Sequence, residues 1–89
     1  MSALEISFLE RLTSLLSEYF QGAKVELSSN VLSPRINGHI IWDGFCDKDS
    51  AERQLLVREV IRERFGIEAS MVSLLLTLTT QEYEDIMSD

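Results

Sequence analysis

Apolar residues recur at intervals of three and four near the start of the chain: Phe8, Leu9, Leu12, Leu15, Leu16, Tyr19 and Phe20. That spacing collects them on one stripe of a helix. Ser2-Ala3-Leu4-Glu5 has capping-box spacing where the helix should begin, and Gly22 is placed to end it. From Lys24 to Leu27 the pattern changes to polar–apolar alternation, the period of a half-buried strand, and Ser28-Ser29-Asn30 supplies turn chemistry. A second strand is expected from about Ile36 to Trp42. Pro34 has no amide hydrogen and therefore belongs in the connection, so the two strands should form a hairpin with a long loop.

Asp43-Gly44 opens a loop that runs to Asp49 and Ser50, either of which can cap a helix through its side-chain oxygen. The second helix should run from about Ala51 to Phe65. Leu56, Val57, Val60, Ile61 and Phe65 form its buried stripe, with Arg58, Glu59, Arg62 and Glu63 on the exposed side. Gly66 suits a left-handed residue just past the helix. Met71 to Leu78 is a nearly continuous apolar run, too short for a typical helix and better suited to a largely covered strand. Thr79-Thr80-Gln81-Glu82 again has capping-box spacing and predicts a short acidic helix. The expected class is α+β in the order α-β-β-α-β-α. A three-stranded mixed sheet should result, with a right-handed crossover between its parallel strands, helices on one face and the other face more open.

Eighty-nine residues support one core, so residues 1–89 are expected to form a single domain. With 45% hydrophobic and 26% charged residues the composition is that of a globular chain. Fifteen acidic against eight basic residues give a formal charge of −7, a field that repels phosphate backbones and anionic lipid surfaces. Cys46 is the single cysteine, so no internal disulfide can form, which suits a reducing compartment. The first twenty residues lack a basic segment followed by a continuous apolar one, and no stretch reaches the roughly 18 apolar residues of a membrane span. A soluble cytoplasmic protein is the expectation.

The chemistry-bearing residues are few. His39 and Cys46 are the only imidazole and thiol. They form a nucleophilic pair only if the fold joins them; the alternatives are a metal site shared with a second protein, or a strand histidine and a packed loop cysteine. Asp43, Asp47 and Asp49 cluster near Gly44, but an EF-hand counted from Asp43 places Gln54 where its closing Glu is required. A helix-capping acidic loop fits better. Arg53, Arg58, Arg62 and Arg64 make the second helix the most basic element, and Arg53, Arg58 and Arg62 are the candidates for contacting nucleic acid. Interleaved Glu52, Glu59 and Glu63 favour a solvated charged face instead. KH-type RNA domains share this order of elements but clamp RNA with a GxxG loop, and the four glycines never occur at that spacing. Trp42, Phe45 and Tyr83 are either an exposed aromatic patch or core. Hydrolase, nucleotide-binding and metalloprotease motifs do not occur, and a non-enzymatic protein is expected.

Several short segments resemble the BolA family, whose fold is related to KH. Gly38-His39-Ile40-Ile41 resembles the family's second strand, with Phe45 where that strand enters the loop. Arg53-Gln54-Leu55-Leu56-Val57 resembles the Arg-His-Arg-Met/Leu-Val/Ile segment that opens the main helix. Leu76-Thr77-Leu78-Thr79 with Glu82-Tyr83 resembles the closing Thr-x-Thr-x-x-Glu-Trp signature. The resemblance implies a non-enzymatic partner of monothiol glutaredoxins, which carries no cofactor alone, shares a [2Fe-2S] cluster with that partner and serves iron–sulfur or stress-linked regulation. Some bacterial relatives are described as transcription regulators. Gln54 stands where the family has a His, and Met71 falls about where its cluster-binding His is expected in the third strand. His39 and Cys46 are then the candidate iron ligands. A KH-like nucleic-acid binder and a self-associating homodimer are the alternatives.

Overall fold

The computed structural model describes residues 3–29 and 35–88. The capping box at Ser2 and the connection around Pro34 lie outside them. Helix α1 spans Ala3–Tyr19, strand β1 Lys24–Ser29, β2 Ile36–Ile41, helix α2 Ser50–Phe65, strand β3 Val72–Leu78 and helix α3 Thr80–Met87. Two 3₁₀ turns, Asp43–Phe45 and Gly66–Met71, join β2 to α2 and α2 to β3. The order is α-β-β-α-β-α, as the periodicity predicts, and the class is α+β. The second 3₁₀ turn has no counterpart in the apolar pattern.

The sheet runs β1-β2-β3, with β1 antiparallel to β2 from Lys24↔Ile41 to Ser29↔Ile36 and β3 parallel to β2. Pairing jumps from Ile36↔Val72 to Asn37↔Leu74, which leaves Ser73 as the extra residue of a bulge. Gly38 sits against β1; a Cβ there would run into the Glu26 carbonyl oxygen. Gly66 follows α2 with φ 59 and ψ −122, so the expected positive φ is present but outside the left-handed helical region.

One core lies between the helices and the sheet. Leu12 and Leu16 of α1 and Phe20 just after it meet Ile36 and Ile40 of β2, Val57, Val60 and Ile61 of α2, and Leu75 of β3. Phe45 is fully buried among them, 5.6 Å from the Phe20 ring and 5.1 Å from that of half-buried Trp42, so both aromatics belong to the core. Tyr19, expected on the buried stripe, is exposed.

Side chains alternate between faces along a strand. With Ile36 and Ile40 turned toward α1 and α2, His39 and Ile41 point to the opposite face, beside Leu74 and Leu76 of β3. That face is the more open one, as expected, and both leucines are exposed. The Tyr83 ring of α3 lies 5.5 Å from the His39 ring, so α3 contributes cover there while α1 and α2 pack on the other side.

Candidate functional site

Two neighbouring features hold the residues singled out by the sequence: a polar clamp beneath α2 and the open face of the sheet. The clamp starts from a capping box at the first turn of α2. Asp49 accepts from the Glu52 amide at 2.8 Å and Glu52 accepts from the Asp49 amide at 3.0 Å. This settles the capping residue as Asp49 and fixes the direction in which Arg53 leaves the helix.

Arg53 is buried, with 8% of its surface exposed. Its Nε donates to the carbonyls of Lys48, at 2.9 Å, and Phe45, at 3.1 Å. Nη1 donates to the Thr77 carbonyl at 3.0 Å and to Glu82 Oε1 at 2.7 Å, and Nη2 reaches Glu82 Oε2 at 3.1 Å. The planar fork of arginine matches a carboxylate in this bidentate way, which a lysine cannot reproduce. The hydrogen bond from Arg53 and that from the Thr79 amide hold the Glu82 carboxyl down at about 2, and the same bond to Glu82 raises Arg53 above its ordinary value. Glu82 also completes the capping box of α3 with Thr79, and Asp43 Oδ1 accepts from the Thr80 amide at 2.9 Å. Arg53, grouped with Arg58 and Arg62 as a phosphate-binding candidate, is therefore committed internally; Arg58 and Arg62 remain exposed.

Gln54 Nε2 donates to the Leu75 carbonyl at 2.7 Å. Gln54 thus serves the outer edge of β3. Met71 is partly buried against the core. The two short motifs around Arg53 and Glu82 are halves of one hydrogen-bond network. Their spacing in sequence, twenty-nine positions from Arg53 to Glu82, hides that relation.

On the open face, His39 Nε2 lies 3.3 Å from Glu26 Oε1 but out of hydrogen-bonding alignment, and this buried nitrogen has no hydrogen-bond partner among the described residues. Glu26 itself is exposed. Cys46 lies in the turn after Asp43–Phe45 with its side chain exposed. No hydrogen bond joins it to His39 among the described residues. Neither belongs to a group of three or more His, Cys, Asp or Glu side chains poised to hold a metal, again among the described residues. The exposed leucines were missed by sequence reasoning, because a nearly continuous apolar run does not reveal which alternate positions stay uncovered.

The architecture is thus that of a small α+β module in which a buried arginine locks the last helix to the sheet. No protein-family model matches the chain, and no curated protein matches it. A solved crystal structure, described as a bol-like protein from Babesia bovis, is similar to it with a TM-score of 0.52 and 28% sequence identity, covering 98% of this chain and 94% of that one. The chain has a BolA-like fold. No helix among the described residues is long and apolar enough to cross a membrane.

Proposed function

We propose that this chain is a non-enzymatic, BolA-like interaction module whose partner is a monothiol glutaredoxin. The observation that carries this reading is the open sheet face, where Leu74 and Leu76 stand 55% and 48% exposed beside His39 and Tyr83. Apolar side chains grouped on a sheet face are suited to burial against a second protein. The BolA-like fold supports the choice of partner.

Toward a [2Fe-2S] cluster shared with that partner, the chain offers two donors of suitable chemistry, the exposed Cys46 thiol and the unpartnered His39 Nε2. Thiolate and imidazole are the ligands such clusters take. Gln54 and Met71 are engaged by the strand edge and the core, and neither amide nor thioether replaces an imidazole well. A cluster bridging the two proteins would supply iron that takes one ligand from this chain. Cys46 is the accessible donor, and His39 becomes one once the exposed Glu26 side chain moves aside.

The test is anaerobic co-purification with a monothiol glutaredoxin, followed by a visible absorption spectrum of the complex. Wild type is expected to form a coloured heterocomplex. Leu76→Glu should lose the partner, and Cys46→Ser or His39→Ala should keep the partner while losing or altering the iron–sulfur absorption. A colourless complex abolished by Leu76→Glu would remove the cluster and keep the partner; the absence of any complex would remove both.

A further inference from the structure

β3 is an edge strand, and α2 runs beside its free side. Between them lies a hollow of about 80 Å³, lined on its apolar side by Val57, Ile61, Val72 and Leu75. It is about half the ~150 Å³ that admits a benzene ring, room enough for one short branched aliphatic side chain. Two polar groups stand at its rim. Arg58 lines it and takes part in no ion pair among the described residues, although the chain carries fifteen acidic side chains. Ser73, the extra residue of the bulge, lines it too and is left without a partner in the β2 ladder.

A strand laid along this edge cannot continue past Ser73. The next outward carbonyls, those of Leu75 and Thr77, are taken by Gln54 and Arg53. A docked strand therefore ends here or turns away from the edge. We propose that the hollow between α2 and β3 receives the C-terminal residue of a partner polypeptide, a branched aliphatic residue whose side chain fills the apolar floor and whose terminal carboxylate pairs with Arg58. The arrangement combines strand addition at an edge with capture of a chain terminus. It is separate from the open sheet face and independent of any glutaredoxin partner.

The probe is a fluorescein-labelled hexapeptide ending in valine, with a free carboxylate or as its amide, titrated by fluorescence anisotropy. Backbone amide shifts of the protein are followed in parallel. The free acid is expected to bind saturably, shifting the amides of Ser73 and Leu75, and to weaken about tenfold or more on amidation. Arg58→Gln should cause a loss of the same size, with an unchanged circular dichroism spectrum, while Arg62→Gln binds as wild type. Equal binding of acid and amide, or no saturable binding, overturns the proposal. So does isovalerate binding as tightly as the peptide, since the site would then serve a small acid.

Discussion

At Arg53 a single guanidinium reaches the loop before α2, the outer edge of β3 and the first turn of α3. Removing it leaves the Thr77 carbonyl, in a buried residue, without its guanidinium donor and strips the ion pair from Glu82, which keeps the Thr79 amide. Arg53→Met should therefore lower stability by about 2 kcal/mol in urea denaturation, while Arg62→Met stays within about 0.5 kcal/mol. Equal, small effects for both would remove the clamp from the account of stability. Glu82 adds a pH dependence whose sign is set by its lowered value, from an ordinary 4.5 to about 2. The stabilisation is full above about pH 4.5 and is lost as the pH falls toward about 2, because the unfolded chain takes up the proton first. The side chain is 42% exposed, so solvent screens the effect and it is modest. Thermal midpoints of wild type and Glu82→Gln should differ at neutral pH and converge on acidification through this window; a constant gap would contradict the assignment.

Among the elements, β1 and β2 leave no room for a side chain at Gly38. Gly38→Ala forces a methyl group against a backbone carbonyl that has no rotamer to escape into, so a loss of about 2 kcal/mol is expected in thermal unfolding. Asp49→Ala and Thr79→Ala should each remove about 1 kcal/mol, since each breaks a capping box. The elements themselves were legible in the sequence because each carries its own signal: three-four spacing in α1 and α2, alternation in β1, a cap at Asp49 or Ser50 ahead of α2, and capping-box spacing ahead of Glu82. What was not legible depends on residues distant in the chain. The bulge at Ser73 arises only when β3 meets β2, and the burial of Arg53 only when Glu82 arrives. Arg53 lies among arginines that look alike in sequence. Phe45 and Trp42 showed the same limit, since an aromatic near a loop reads equally as patch or core until Phe20 is placed against it. His39 and Cys46 were identifiable as the only donors of their kind, but their separate settings, one covered by Glu26 and one exposed, were not.

For the molecule as a whole, the net charge of −7 and the internal use of Arg53 point the same way. A phosphate-binding face needs several free cations along one groove, and the clamp withdraws Arg53 from the three candidates. Filter binding of single-stranded RNA at low salt should show no saturable interaction; binding that weakens steeply with added salt would revive the nucleic-acid alternative. The two proposed contact regions lie on different sides, one on the open sheet face and one at the outer edge of β3. A change at Leu76 and a change at Arg58 should then act additively in any assay that reads both partners.

The position of β3 and α3 late in the chain has a consequence for synthesis on the ribosome. The hairpin of β1 and β2, α1 and then α2 are made before either of them. Through that interval β2 has one neighbour only, and the Arg53 guanidinium has neither the Thr77 carbonyl nor Glu82 to bind. A nascent chain halted there presents the unpaired edge of its central strand, the surface most prone to capture by another chain. Emergence of the segment from Val72 through Glu82 supplies the missing strand and the carboxylate together, and with them the step that closes the fold.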